Sequence, residues 1–452
     1  MTPHQRTGLL RELRRLGGDA SLVAIGQVVS YAYPLVSIPL LSRVLGIDGL
    51  GIFIAALAVI QMLIVWTDFG FGFSALRRIA VAETAAERQA AVSSTLTAKI
   101  LLWAVGSAAL IAVVLIVPSL RAHLDLYLIG LLTSVGAAFY PMWYLQGVGR
   151  LKLLALLTAG SRLMALIGLV LTVRSVHQIG LAVFWQYVPY VLSAVVCWIV
   201  LTKSDEIRLR FSGLGAARRA LKDSVPLFVN LVSGQLIVNS SAILLAQLSS
   251  YRQVGLFGPA DRMANAVHGV IGSVEQAMLP RVSAAHTHPE LPHHRRLILG
   301  SLIGCYAVAG LLLVVTAPVI VPWYLGSEFT DAVPVVQLMG AATVVAGFAK
   351  IFLLDLVAAG RSRICSIITA ASCGWHLLTA AFAAWLWGAQ GVALAVCGTQ
   401  LFASIALWVA IMRPGAARKP GAASDPARST GPGSTRDDNN AGNVGVGKDS
   451  PK

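Results

Sequence analysis

Two basic residues lie deep inside long apolar segments of the sequence. Arg162 falls near the middle of the apolar segment at residues 151–173, and Lys350 falls within another at residues 333–359. Both lie deeper than a long side chain reaching back to a membrane surface would explain. In a water-filled cleft, arginine binds a phosphate or diphosphate through paired hydrogen bonds, and lysine binds it as a point charge. The alternative for Lys350 is an ion pair with a carboxylate from another segment.

A stripe of polar residues follows one face of the segment at residues 254–278, at the spacing of an α-helix. The stripe comprises Asp261, Asn265, His268, Gly272 and Glu275, and the adjoining face carries Arg262, Gly269, Ser273 and Gln276. An ionisable side chain inside a bilayer costs roughly 3 kcal/mol, so each one should face protein or water. The stripe therefore predicts the wall of a cavity. The alternative is a buried network in which Asp261 or Glu275 neutralises a neighbouring cation.

The remaining polar residues of the apolar segments have simpler explanations. Snorkelling or structural ion pairing is expected near segment ends, for Arg43, Lys99, Asp68 and Asp355. His376 could titrate, but a lone histidine is more often a hydrogen-bonded core residue. The segment at residues 225–248, which contains Asn239, is polar and bendable, and it suits either a gate or ordinary helix packing.

Catalytic and metal-binding motifs are missing from the sequence. It contains no GxSxG, Walker loop, HExxH motif or long polar loop with clustered acids. Its five cysteines all fall inside apolar segments without metal-ligand spacing. We therefore predict a protein that is not an enzyme and carries no metal or cofactor.

The composition indicates an α-helical membrane protein. Hydrophobic residues make up 56% of the chain and charged residues only 12%. Apolar runs of about 20 residues can each cross a bilayer as a helix, and their length excludes barrel strands. We predict about twelve spans, at residues 21–45, 50–73, 96–118, 126–146, 151–173, 181–201, 225–248, 254–278, 297–323, 333–359, 364–387 and 391–412.

The charge distribution predicts that both termini are cytoplasmic. With the N-terminus inside, most loop cations lie on the cytoplasmic side, and the outer loops hold only Arg121, Arg174 and Arg252. The net charge of +15 is then a topology signal and an attraction for anionic membrane lipids, so no nucleic-acid partner is needed. The predicted segments are an amphipathic N-terminus at 1–20, two six-helix lobes at 21–203 and 223–413, a basic cytoplasmic linker at 204–222, and a disordered cytoplasmic tail at 414–452.

Similar short sequences recur in the two halves. Gly51 in LGIF matches Gly255 in VGLF, and the following spans end at Arg77 and Arg281, at the same offset. GRLK at residues 149–152 also matches GRSR at residues 360–363. Short turns need glycine and cytoplasmic ends attract arginine, so each match alone is weak. Together they predict parallel repeats with a cleft between the lobes.

Three stretches carry a family resemblance that extends over residues 21–412. They are YPLVSIPLLSRVLG at 33–46 with GLGIF at 49–53, DFGFGFSALRR at 68–78 and WYLQG at 143–147. The chain resembles the Wzx-type polysaccharide flippases of the multidrug/oligosaccharidyl-lipid/polysaccharide exporter superfamily. This resemblance implies the two-lobed fold of that superfamily, which MATE transporters share. It also implies an inner-membrane flippase for undecaprenyl-diphosphate-linked oligosaccharides that works by alternating access.

The resemblance further implies a cationic lumen that accepts the substrate headgroup. On this interpretation Arg162, Lys350 and Arg262 contact the headgroup, with Asn239, Asn265 and His268 as further lumen candidates. Asp261 or Glu275 is the candidate for coupling to H⁺ or Na⁺. Expected partners are the lipid-linked oligosaccharide, membrane lipids and polysaccharide polymerase machinery.

Two other functions remain open at the level of sequence. A drug or cation antiporter of the same superfamily would be expected to have a lumen dominated by carboxylates. An integral membrane polysaccharide polymerase or ligase would need sizeable outer loops to carry catalysis, and none of the outer connections proposed here is long.

Overall fold

The computed structural model describes residues 3–203, 207–208, 210–287 and 292–413, and helices account for nearly all of them. The first helices are α1 (Pro3–Asp68), α2 (Phe71–Ala80), α3 (Ala85–Ile116), α4 (Pro118–Arg121), α5 (Leu124–Phe139), α6 (Met142–Gly147), α7 (Leu151–Thr172) and α8 (Ile179–Lys203). They are followed by α9 (Leu214–Leu248), α10 (Tyr251–Thr287), α11 (Pro292–Leu325), α12 (Val333–Ala358) and α13 (Ser362–Met412). Short 3₁₀ turns precede α8 and α12, and the described residues contain no strand.

Within the described ranges, eight helical segments are long and apolar enough to cross a bilayer. Two of them hold two passes each, because non-helical backbone at Gly46 divides α1 and non-helical backbone at Gly388 divides α13. The shorter apolar helix α5 and the 37-residue α10, whose polar stripe keeps it out of that set, bring the number of passes to twelve. The prediction of an all-helical membrane protein with about twelve passes is confirmed.

Two passes are interrupted where hydropathy predicts a continuous span. Helix α1 ends at Asp68, and the chain turns through Phe69, at a φ of 46°, and Gly70 before α2 begins. Helix α5 ends at Phe139, and α6 begins only after Pro141. The apolar side chains at both breaks keep the hydropathy high, so the average over a window contains no signal of an interruption.

The described structure only partly covers the predicted segments. Contacts group Met1–Ile411 into one compact unit and Met412–Lys452 into a second, of which only residues 412 and 413 are described. The tail predicted at residues 414–452 lies outside the described residues. Helix α9 begins at Leu214, within the segment predicted as a linker at 204–222. The division into lobes at 21–203 and 223–413 stays a prediction.

The two matched glycines of the sequence repeat meet each other at the end of the molecule where α10 begins. A Cβ atom on Gly51 would collide with the backbone carbonyl of Tyr251, four residues before Gly255. A Cβ atom on Gly255 would collide with the carbonyl of Ile47, four residues before Gly51. The contact is therefore reciprocal and made by main chain, which lets α1 and α10 approach more closely than side chains would allow.

The other sequence match also has a structural counterpart. Gly149 and Gly360 have φ values of 72° and 75° at the C-terminal ends of α6 and α12. The next amide in each case donates back to a carbonyl five residues earlier, Arg150 to Leu145 at 2.8 Å and Arg361 to Leu356 at 2.9 Å. These are the bonds of a Schellman cap, which glycine favours because it adopts positive φ without strain. The same cap thus closes corresponding helices in the two halves.

Candidate functional site

A cavity of about 680 Å³ lies among the helices of both halves of the chain. Its lining residues come from α1, α8, α9, α10 and α12. Along α10 the lining runs from Phe257 to Gln276, which corresponds to roughly 28 Å of helix at 1.5 Å per residue. A hydrocarbon core is about 30 Å thick, so the cavity follows α10 over most of a bilayer crossing.

The structure brings most of the sequence-predicted site residues into this cavity. Seven of the eight line it, namely Asn239, Asp261, Arg262, Asn265, His268, Glu275 and Lys350. Five of these belong to the α10 stripe and its adjoining face. The cavity supports the interpretation of that stripe as a wall rather than as a sealed network.

The Lys350 side chain is exposed and lines the cavity. No hydrogen bond or ion pair to its ammonium is found within the described ranges. Lys350 also borders a second cavity of about 220 Å³, together with Asp261, Asn265 and His268. An ammonium without a protein partner in a polar cavity is suited to binding an anion as a point charge.

The carboxylate of Asp261 is held by a neighbour on its own helix. Asn265 donates a hydrogen bond to Asp261 Oδ2 at 2.9 Å, and Arg262 is the next residue along α10. One turn further along α10, His268 Nε2 is buried and has no hydrogen-bond partner in the described part of the chain. The α10 wall thus presents alternating positive, negative and neutral polar groups.

Arg162 is the exception among the predicted site residues, because it does not line the large cavity. Its guanidinium lies over the rings of Tyr33 and Tyr190, 5.0 Å and 5.5 Å from their centroids. Nη2 donates to the Tyr190 hydroxyl at 3.4 Å, and Nη1 is buried with no partner in the described residues. The two aromatic faces stabilise the cation among α1, α7 and α8.

Of the four ionic residues for which the sequence predicts snorkelling or ion pairing, three are paired, and Arg43 instead donates to the Trp323 carbonyl at 2.9 Å. Lys99 Nζ lies 3.2 Å from Asp68 Oδ1. Asp355 accepts hydrogen bonds from both Nε and Nη2 of Arg295. His376 is fully buried between Ser241 and Thr399, so the prediction of a hydrogen-bonded core residue is confirmed. These groups stand apart from the cavity lining.

The lining also contains two residues that the charge and stripe patterns of the sequence do not indicate. Gln61 from α1 and Gln186 from α8 face the cavity, and each stands as a single amide inside an apolar run. The only sequence signal for these residues is an isolated amide within a predicted span, which is weaker than a charge or a polar stripe. As for metals, the described residues bring together no group of three or more His, Cys, Asp or Glu side chains that could hold an ion.

Comparison with known proteins gives a family, two related sequences and a shared fold. Residues 16–286 match the family described as polysaccharide biosynthesis protein. A candidate O-antigen transporter of Escherichia coli strain K12 is 26% identical over 70% of this chain and 77% of its own length. A candidate O-antigen transporter of Shigella dysenteriae is 25% identical over 82% of this chain and 94% of its own length.

Solved structures of membrane transporters have the same fold. The lipid II flippase MurJ in an inward closed conformation aligns with a TM-score of 0.71 at 14% identity, over 87% of each chain. An inward-facing multidrug resistance MATE family transporter of the MOP superfamily aligns with a TM-score of 0.64 at 15% identity, over 87% of this chain and 94% of that one.

Proposed function

The chain belongs to the polysaccharide biosynthesis protein family, and from this membership we propose that it is a flippase for undecaprenyl-diphosphate-linked oligosaccharides. The observation that carries the proposal is the cavity along α10, whose lining includes Arg262 and a Lys350 that has no partner among the described residues. The diphosphate is the anionic part of such a lipid, and it forms charge-assisted hydrogen bonds with cations of this kind. The related candidate O-antigen transporters support the same class of substrate.

The geometry suits a lipid whose two ends need different surroundings. The headgroup enters the cavity, where Lys350 and Arg262 compensate the diphosphate charge and polar side chains replace water. The polyprenyl chain stays in the bilayer, because moving it into a polar cavity would cost roughly 0.8 kcal/mol per CH₂. Alternating access between the two halves then carries the headgroup across. We place Arg162 in this scheme as a further headgroup contact that the substrate must reach from the main cavity.

Transport without a nucleotide motor needs another source of free energy. Asp261 and Glu275 both line the cavity and are the candidates for coupling to H⁺ or Na⁺. A carboxylate that binds a cation in one conformation and releases it in the other makes the two conformations respond to the gradient. The proposal places the protein in a bacterial inner membrane, with both termini cytoplasmic and a polysaccharide polymerase as the next user of the glycan.

The test is deletion of the gene followed by analysis of lipid-linked glycans. Accumulation of undecaprenyl-diphosphate glycan on the inner leaflet supports a flippase, whereas an unaltered pool contradicts the proposal. Complementation with Lys350→Ala should fail to restore glycan export even though the protein is inserted, and Lys152→Ala, an exposed lysine outside the cavity, should restore it. Export restored by Lys350→Ala would remove this lysine from the substrate site.

The superfamily also contains drug transporters, and the same strains separate the two functions. A drug or cation antiporter would lower the sensitivity of the host to cationic dyes when expressed, and it would leave the glycan pool of the deletion strain normal. The lining holds two cations, Lys350 and Arg262, beside the two carboxylates Asp261 and Glu275. It is therefore not dominated by carboxylates, as the lumen of a cation antiporter would be expected to be, and its cations would repel a cationic drug.

A further inference from the structure

The large cavity is unusually rich in side-chain amides. Six of its lining residues carry them: Gln61, Gln186, Gln235, Asn239, Asn265 and Gln276. An amide offers two N–H donors and one acceptor oxygen, so it can bond a hydroxyl group in either direction. Aliphatic chains, phosphates and simple cations do not need this combination, whereas a sugar does.

The six amides differ in how far the protein itself already uses them. Asn239 donates to the side-chain oxygen of Gln235 at 3.2 Å, and Asn265 donates to Asp261 at 2.9 Å. By contrast, Gln61 and Gln186 form no side-chain hydrogen bond within the part of the chain that the structure describes. Both are half-buried and face the cavity. Their donors and acceptors are therefore available to a ligand.

Charge is distributed unequally between the two walls. All ionisable acids and bases of the lining, Asp261, Arg262, His268, Glu275 and Lys350, belong to α10 and α12. The wall formed by α1 and α8 carries only neutral side chains. The Tyr187 hydroxyl on this wall already donates a hydrogen bond to the Leu57 carbonyl at 3.2 Å. Gln61 and Gln186 are thus the free hydrogen-bonding groups that this wall contributes to the lining.

We propose that Gln61 and Gln186 form a sugar-recognition surface on the neutral α1 and α8 wall, apart from the charged residues of α10 and α12. The diphosphate lies against Lys350 and Arg262, and the first sugars lie against the α1 and α8 amides, which bond their hydroxyl or acetamido groups. This inference rests on the proposed function and adds the part of the substrate that determines specificity. A sugar that left these half-buried amides unpaired would bind less tightly, because the lost hydrogen bonds are not replaced.

Binding by the full-length chain in nanodiscs tests the proposal. The probes are undecaprenyl diphosphate and the same lipid carrying N-acetylglucosamine or galactose. Wild type is expected to bind at least one sugar-bearing probe roughly tenfold more tightly than the bare diphosphate. The double variant Gln61→Met and Gln186→Met keeps side-chain length but removes the amides, and it should bind all three probes equally while its affinity for bare diphosphate changes by less than about twofold.

Control measurements separate a failure of sugar recognition from a failure of the proposed flippase function. Gln337→Leu, a glutamine that donates to the Val314 carbonyl outside the cavity, should behave as wild type. The two single variants are measured as well, so the test does not depend on insertion of the double variant. Wild type that binds bare and sugar-bearing lipids equally, or a double variant that keeps the preference, overturns the sugar surface and leaves the flippase standing. Wild type that binds none of the three lipids overturns both.

Discussion

Ionic side chains in this protein fall into two groups, according to whether the protein supplies their counter-charge. Asp68 and Lys99 form a pair, as do Asp355 and Arg295, and these pairs need nothing from a substrate. Lys350 has no such partner in the described residues and is exposed to the cavity. Burial of an unpaired charge is unfavourable, so a lysine in this setting requires water or an anion. This distinction supports the proposal that Lys350 binds substrate more directly than its depth in the sequence does.

Breaking one structural pair should destabilise the protein without changing its substrate preference. Lys99 is 3% exposed and Asp68 is its partner, so Asp68→Asn leaves a buried ammonium uncompensated. We expect a loss of about 1–3 kcal/mol, less than for a fully buried pair because the aspartate is partly solvated. Denaturant unfolding in detergent micelles measures the loss. The double variant Asp68→Asn with Lys99→Met should recover part of it, and equal loss in both would contradict the pairing.

The hydrogen bonds around His376 determine which of its two ring nitrogens carries the proton. Thr399 donates its hydroxyl to the Ala395 carbonyl at 2.7 Å, so it can only accept from His376 Nδ1 at 3.1 Å. The neutral ring then has its proton on Nδ1, and Nε2 accepts a hydrogen bond from Ser241. This histidine joins α9 to both halves of α13.

Replacement of His376 by leucine should therefore destabilise the protein. The variant leaves the Ser241 and Thr399 hydroxyls buried without their partner, at a cost of about 1–3 kcal/mol. Thermal unfolding of the purified variant measures this cost, with the exposed His177→Leu as the control. Unchanged stability in His376→Leu would mean that the bridge contributes nothing.

Among the helices, the contact between α1 and α10 closes one end of the cavity. Beside the Gly51 and Gly255 contact, Ser42 donates to the Leu325 carbonyl at 2.8 Å and Tyr251 donates to the Ser119 carbonyl at 3.0 Å. These bonds join the first half of the chain to the second. They must separate if the molecule is to open at this end during alternating access.

Adding one methyl group at this contact should prevent closure. Gly51→Ala and Gly255→Ala each place a Cβ atom against a backbone carbonyl, which cannot move aside as a flexible side chain can. We expect glycan export to fall by an order of magnitude or more, since a cost of about 1.4 kcal/mol already changes an equilibrium tenfold. Export and membrane insertion are measured together in complemented cells.

The matched control for the glycine variants is Gly300→Ala, at a helical position where an added Cβ atom meets no other atom. It should export as wild type does. Normal export by both Gly51→Ala and Gly255→Ala would show that this contact does not limit the transport cycle.

At the scale of the whole molecule, the predicted topology can be tested directly. Three passes precede the connection that contains Arg121 and His123, two in α1 and one in α3. If both termini are cytoplasmic, this odd number places the connection outside. A green fluorescent protein fused after Met412 should fluoresce, and alkaline phosphatase fused there should be inactive. Phosphatase inserted at His123 should be active. The reverse pattern would invert the orientation inferred from the loop cations.

The sequence predicts the passes and most of the cavity wall, because both depend on local spacing. The α10 stripe needs only helical periodicity and the cost of burying charge, so Asp261, Asn265 and Glu275 could be assigned to one face. The environment of Arg162 depends on Tyr33 and Tyr190, which come from other helices, and no local pattern gives that contact. The role of Gln61 and Gln186 can be inferred only once α1 and α8 are known to line the same cavity as α10.

The reciprocal glycine contact has a consequence for which mutations can rescue a substitution at either glycine. Because each obstacle is main chain of the opposite half, no compensating side-chain mutation there can restore the fit. A suppressor screen starting from either alanine variant should therefore return reversions to glycine rather than second-site changes at the opposite position.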